Sequence, residues 1–453
     1  MHLNNGLKTT EYINSLCPYF KKRRKMKNLK ITAAALTALA FFTFCRIQSS
    51  HAAGFLVYDM SGEALGRAGA VSAAINSPAA IWFNPSAMSF MPGYQFTAGG
   101  VVVVSSNTFT PEGNGDSVSS ITDPFVIPHL YGTFEIMDWM HAGIGVFSPF
   151  GLGVKWPEDW LGREHGIYSS LQTIIINPAL SFKVWKNVSI AAGFSLIYGA
   201  VDMKNGLPEP IGGSIRIGGS TWAVGGNAAV TWRILPDLLH VALSYRSRAK
   251  LSFDGDADFD PEAEEFASNL PDQKGKSAIT LPDIFTFGVM YKPISSLEIT
   301  FDVNYTLWST YDKLKLEFEN EDTPDEVLRR DFKNSFTFRL GFDYTLPTNP
   351  LYGKFKGRIG FIFDQNPSPK ETLAPSLPDA NRVDLGLGVG YTYKWMSFDL
   401  GYLMVYFLPS ESTTGEEGPE GTYDSIAHLM GLSFTGRFGG SKKTVDPELL
   451  ESK

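Results

Sequence analysis

The chain has 453 residues, with 39 basic against 47 acidic side chains, 44 Gly, 33 Phe, 18 Tyr and 2 Cys. The acidic balance disfavours a nucleic-acid partner, for which a stripe of Lys and Arg would have to offset phosphate repulsion. After residue 52 no run of eighteen apolar residues occurs, which argues against helical membrane spans.

The first 52 residues read as a leader and signal peptide removed on export. Lys21, Lys22, Arg23, Arg24, Lys25, Lys27 and Lys30 make a basic n-region, residues 31–44 an apolar h-region, and Ser50-His51-Ala52 a small-x-small cleavage site. Either Met1 or Met26 serves as the start. Cleavage after Ala52 leaves Ala53-Gly54-Phe55 as the mature N-terminus and removes Cys17 and Cys45, so disulfide and thiolate chemistry are unavailable to the mature chain. It also removes nine basic residues and one acid, moving the balance from 39 against 47 to 30 against 46.

Residues 53–93 are rich in Gly and Ala and lack period two, as expected of a compact segment separate from the remainder of the chain. Residues 94–438 then carry about fourteen strand candidates: 94–106, 127–135, 140–147, 172–184, 188–198, 219–232, 240–253, 278–291, 297–311, 334–344, 355–364, 382–393, 396–407 and 424–438. The connections alternate: 107–126, 148–171, 312–333, 365–381 and 408–423 are long, whereas 136–139, 185–187, 292–296 and 394–395 are short. Long loops on one rim and short turns on the other are the organisation of an outer-membrane barrel, and an even strand number returns both termini to the short-turn rim. Residues 439–453 form a polar tail beyond Phe438, the last strand residue.

The strands have two faces. Residues 297–307 alternate strictly, and in the tenth strand Phe336, Phe338, Leu340, Phe342 and Tyr344 alternate with Ser335, Thr337, Arg339, Gly341 and Asp343. A charge turned to mid-bilayer costs about 2–4 kcal/mol. Glu298, Asp302, Arg339, Asp343, Asp399 and Arg437 are therefore expected to face the lumen, as an ion-paired layer supporting the plug. The fold class is all-β: a transmembrane antiparallel barrel of about fourteen strands, plugged by the N-terminal segment.

Several motifs in order resemble the FadL/TodX family of outer-membrane transporters for long-chain fatty acids and other hydrophobic compounds. They are Ala53-Gly54-Phe55, Gly66-Arg67-Ala68-Gly69-Ala70, Phe83-Asn84-Pro85-Ser86-Ala87-Met88, Phe150-Gly151-Leu152, Asn177-Pro178-Ala179, Tyr245-Arg246-Ser247, Leu281-Pro282-Asp283, Trp308-Ser309, Phe332-Lys333, Arg339-Leu340-Gly341, Leu377-Pro378-Asp379 and Arg382. Ser86 stands where the family's Asn-Pro-Ala signature has Ala. The tail also departs from barrels that end on an aromatic residue read by the barrel assembly machinery.

The resemblance implies a hatch at residues 53–93, with Ala53, Gly54, Phe55, Asn84 and Pro85 as its gating elements. It further implies capture at extracellular loops, a pocket touched by Phe55, and lateral exit into outer-membrane lipid at a kinked third strand. Pro149 and Gly151 are the kink candidates, since proline cannot donate to a ladder. Lys333 and Lys204 are candidates for a carboxylate headgroup, and Phe150 and Trp156, with Phe109, Phe125 and Trp160, for apolar contacts. The implied partner is a long-chain fatty acid or similar hydrophobic molecule, taken up by a monomer in the outer membrane of a Gram-negative bacterium. An aromatic-hydrocarbon channel and a general diffusion porin are the alternatives. His129, His141, His165, His240 and His428 are scattered, with no nucleophile-base arrangement, metal spacing or phosphate loop, so no enzyme activity, cofactor or metal is expected.

Overall fold

A computed structural model describes residues 54–113, 115–347, 350–413 and 418–439; the leader, Ala53 and the tail past Gly439 lie outside the described residues. Fourteen antiparallel staves form one closed sheet among the described residues. They are β1 (Tyr94–Pro111), β2 (Phe125–Met137), β3 (Met140–Phe147 and Gly151–Lys155), β4 (Tyr168–Trp185), β5 (Val188–Gly206), β6 (Ser214–Leu235) and β7 (Leu239–Arg246 and Ala249–Asp260). The circuit continues with β8 (Gln273–Leu281 and Ile284–Ile294), β9 (Leu297–Thr306 and Lys313–Phe318), β10 (Ser335–Thr345), β11 (Lys354–Asp364), β12 (Arg382–Tyr393), β13 (Met396–Phe407) and β14 (Gly421–Phe438). Closure is made by β14 against β1, in register from Tyr94 opposite Phe438 to Pro111 opposite Gly421.

Alternation decides which face each side chain takes. In β10, Ser335, Thr337, Arg339 and Asp343 are buried, while Phe336, Leu340 and Tyr344 are exposed on the outer wall. At the short-turn rim Trp139, Trp185, Trp232 and Trp395 stand on the outside, as an interfacial aromatic girdle requires.

Residues 54–93 fill the lumen. A short helix α1 (Gly62–Gly66), capped by the Ser61 hydroxyl accepting the Ala64 N–H at 3.2 Å, is followed by α2 (Ala80–Phe83) and a 3-10 turn at Pro85–Phe90. Small residues let this backbone touch the wall: a Cβ on Gly62 would lie 2.2 Å from the Asp399 carbonyl oxygen.

The inward charges meet the plug. Arg67 reaches Asp343 at 2.7 Å and Glu298 at 3.3 Å, and Arg358 bridges Asp343 at 2.8 Å and Asp399 at 2.7 Å. Asp302 accepts the Val71 and Ser72 N–H groups at 3.1 and 2.8 Å, Arg339 donates to the Ala68 carbonyl at 3.2 Å, and Arg437 donates to the Asn76 carbonyl at 3.3 Å. The buried charges among these, Arg67, Asp302, Arg339, Asp343, Arg358 and Asp399, each gain a partner, which is the condition for leaving water.

Three staves depart from the continuous strands expected of them. Pairing in β7 breaks at Ser247 and Arg248, and in β8 at Pro282 and Asp283, where the side chains substitute for the lost ladder: Asp283 accepts the Arg248 N–H at 3.0 Å and the Tyr245 hydroxyl at 2.8 Å, and Ser247 Oγ accepts the Gly226 N–H at 2.8 Å. The first part of β9 ends at Thr306, because Trp308–Thr310 turn as a 3-10 helix that buries Trp308.

Candidate ligand site

Phe55 sits in an aromatic box. Its ring meets Trp308 at 4.8 Å, Tyr311 at 5.7 Å and Phe150 at 6.2 Å, all edge-on, and Phe332 closes the far side against Trp308 and Tyr311 at 6.0 and 5.0 Å. Edge-to-face packing suits the ring quadrupoles, beyond the apolar area it buries. Gly54, at φ +59°, makes the approach possible, since a Cβ there would lie 2.8 Å from the Trp308 ring as well as in a left-handed backbone. The Gly54 N–H donates to Asp379 Oδ2 at 2.7 Å, and the other carboxylate oxygen accepts the Ala380 N–H at 3.0 Å. Burial pushes the Asp379 carboxyl up to about 7, against the opposing pull of Arg382 and these two N–H groups.

The same segment is hydrogen-bonded to the break in β3. Ladder pairing of β3 with β4 runs to Phe147 opposite Ile175 and resumes at Gly151 opposite Gln172. Between them Pro149 has no N–H, and the Phe150 carbonyl accepts from Thr173 Oγ1 at 2.7 Å. The exposed edge is taken up by the N-terminal segment: Val57 N–H donates to the Pro149 carbonyl at 2.7 Å, Gly151 N–H to the Phe55 carbonyl at 3.1 Å, and Leu56 stands opposite Phe150 as an antiparallel bridge.

Two cavities adjoin this junction. One, of about 390 Å³, lies where β2 and β3 part above Val146; inward-facing Asn107 and Phe147 and outward-facing Val126 and Ile174 line it together, so it reaches through the wall. The other, of about 150 Å³, lies behind residues 54–59 and shares Asn107, Phe125 and Leu152 with the first. It is lined by the apolar Val103, Leu403, Val405 and Leu429 and by Asp59, Arg339, Asp364, Asp379, Arg382 and Asp384, with Asp384 the cross-strand neighbour of Val405. Arg382 pairs with Asp364 at 2.7 Å and Arg339 with Asp59 at 3.6 Å.

Residues 44–438 match the family model described as "Outer membrane protein transport protein (OMPP1/FadL/TodX)". The chain belongs to this family. It is 25% identical to the long-chain fatty acid transport protein of Salmonella typhi, with 85% of this chain and 94% of that protein covered. Its fold is similar to a crystal structure of a Pseudomonas aeruginosa FadL homologue (TM-score 0.76, 19% identity, 85% of this chain and 100% of that one). It is also similar to the P. putida toluene transporter TodX (TM-score 0.66, 18% identity, 86% and 99%). As a FadL/TodX-family barrel it is an outer-membrane transport protein and not an enzyme.

Seen as a family member, the chain brings Gly54, Phe55, Phe150, Pro149 and Gly151 into one junction. Trp156 lies elsewhere, stacked on Trp160 at 4.5 Å and donating Nε1–H to the Pro375 carbonyl, in a small cluster with Phe109, Leu373 and Tyr423. Lys204 pairs with Glu158 at 2.8 Å, and Lys333 is exposed beside the buried Phe332. Neither lysine lines the two cavities. Asn84 and Pro85 stand at the base of the plug, where Asn84 Nδ2 donates to the Ser72 carbonyl and to Thr231 Oγ1 at 2.7 and 2.8 Å. The cations that do reach the inner cavity, Arg339 and Arg382, sit in motifs visible in the sequence, but only the fold shows them beside Phe55.

Proposed function

We propose that this protein takes up long-chain fatty acids or similar hydrophobic compounds by passive diffusion, gated by its N-terminal segment and ending in lateral exit through the break in β3. The observation that carries the reading is the pairing of Phe55 and Val57 with Pro149 and Gly151. The residue that fills the aromatic box and the strand that borders the wall opening are hydrogen-bonded to each other, so a ligand displacing Phe55 must also release the edge of β3. A ligand then passes along the cavity between inward-facing Asn107 and outward-facing Val126. Lys333 and Lys204, on the extracellular side, meet an anionic headgroup before entry. The long-chain fatty acid and toluene transporters among the similar proteins support a hydrophobic cargo.

Deleting residues 53–55 tests the gate. Uptake of a radiolabelled long-chain fatty acid by cells expressing the variant should fall several-fold while the barrel stays folded and heat-modifiable. Unchanged uptake would contradict an N-terminal gate.

A further inference from the structure

Arg246 holds the plug without a counter-charge. It ends the first part of β7, immediately before the break, and its half-buried side chain turns to the lumen on the same register as Ala242 and Ser244. Nη2 donates to the Ile81 and Trp82 carbonyls at 2.6 and 2.8 Å, Nε to the Trp82 carbonyl at 3.1 Å, and Nη1 to Asn177 Oδ1 at 3.0 Å. The guanidinium also lies over the Trp82 ring at 4.3 Å and the Phe147 ring at 5.5 Å. All of these partners are neutral, and the ionisable side chains facing it are the phenols of Tyr58 and Tyr131. By contrast Arg67, Arg339, Arg358 and Arg382 each hold a carboxylate. A cation given only dipoles lacks its strongest kind of partner. Arg246 borders a cavity of about 20 Å³ with Phe150, Ile175, Ser195, Ile197 and Ser247, room for about one water. Phe150 also belongs to the aromatic box, so this space lies one ring away from Phe55. The carbonyls that Arg246 holds are those of α2, and α2 is tied in turn to the gating segment: Trp82 Nε1–H donates to the Tyr58 carbonyl at 2.8 Å, and the Trp82 ring packs at 5.2 Å on Phe147, the last residue of β3 before its break.

We propose that Arg246 receives the ionised carboxylate of an amphiphile that has displaced Phe55, and that this exchange of partners releases α2 of the plug from the wall. A carboxylate presents two oxygens to the guanidinium fork, and such charge-assisted bonds are about twice as strong as those to neutral carbonyls. The Ile81 and Trp82 carbonyls therefore give way to it, and the small cavity opens as α2 moves. Phe150, Ile175 and Ile197 supply apolar contact for the adjoining hydrocarbon. An alcohol or a plain hydrocarbon brings no charge to Arg246, so it fills the aromatic box and leaves α2 where it is. The inference rests on the transport reading above and narrows it: among hydrophobic compounds, anionic amphiphiles are the class that moves the plug.

The test is hydrogen exchange of the protein in nanodiscs at pH 8, with decanoate or 1-decanol added to saturation of binding measured on the same sample and empty nanodiscs subtracted. Decanoate should raise exchange of the Trp82, Phe83 and Asn84 amides, which donate to the Ala79 and Ala80 carbonyls, several-fold, and decanol should leave them unchanged. In Arg246→Gln these amides should exchange faster without ligand and decanoate should add nothing further, while decanoate affinity falls several-fold and decanol affinity is kept. Decanoate that binds without raising this exchange, decanol that raises it as much, or Arg246→Gln weakening both ligands alike would overturn the inference and leave transport standing. Saturable binding of neither ligand to the native chain would overturn the transport reading together with it. The comparison of the two ligands on the native chain decides the matter even where the variant fails to fold.

Discussion

At the scale of single residues, Asp379 ties the N-terminal segment to the extracellular loops through one hydrogen bond from Gly54. Because burial raises its folded-state value to about 7, with Arg382 opposing and Asp364 adding to the shift, folding favours the protonated form. Its contribution is therefore complete below the ordinary carboxylate range and is lost as pH rises through about 7. Protection of the amides of residues 54–57 from hydrogen exchange should fall between pH 6 and 8 by more than base catalysis accounts for. Asp379→Asn, neutral throughout, should lose that excess; an unchanged excess would show that another group titrates. Phe55 was legible in the sequence as a plug residue near a pocket, because it closes a motif at the mature start. Asp379 and Trp308 were legible only as motif members, since their meeting with Gly54 joins positions more than two hundred residues apart.

At the scale of elements, the plug is held by charges that period two alone already assigned to the lumen. Alternation fixes the face of Glu298, Asp302, Asp343 and Asp399, but which plug atoms they meet depends on how α1 lies across β12 to β14. Arg67 is the centre of that contact, its side chain 1% exposed between Asp343 and Glu298. Arg67→Leu leaves buried Asp343 with Arg358 and Lys356 and half-buried Glu298 with Lys292, so local opening of the plug should become easier by about 1–3 kcal/mol. Lys292→Ala, at the solvent-facing end of the same network, should cost under about 1 kcal/mol. Exchange of the Val71 and Ser72 amides, which donate to Asp302, reads both; equal effects would contradict a buried anchoring role. The breaks in β7 and β8 were hidden from periodicity because Ser247 and Asp283 replace ladder bonds with side-chain bonds, leaving the apolar alternation on either side intact.

At the scale of the whole molecule, fourteen staves, long loops on one rim and a filled lumen follow from features spread over the entire chain, and so were readable from it. The coupling between plug and wall was not, since it is a backbone pairing of residues 55–57 with 149–151 that no side-chain pattern encodes. The proposed gating depends on that pairing, and the pairing can be locked. Leu56 and Phe150 form an antiparallel bridge, which places Cα atoms about 4.5–5.5 Å apart, within the roughly 4.4–6.8 Å a disulfide spans. The only native cysteines, Cys17 and Cys45, precede residue 52. In the double variant Leu56→Cys, Phe150→Cys, fatty acid uptake should be abolished under oxidising conditions and restored by reductant, with each single variant insensitive to both. Uptake that continues undiminished with the disulfide formed would contradict gating by this segment.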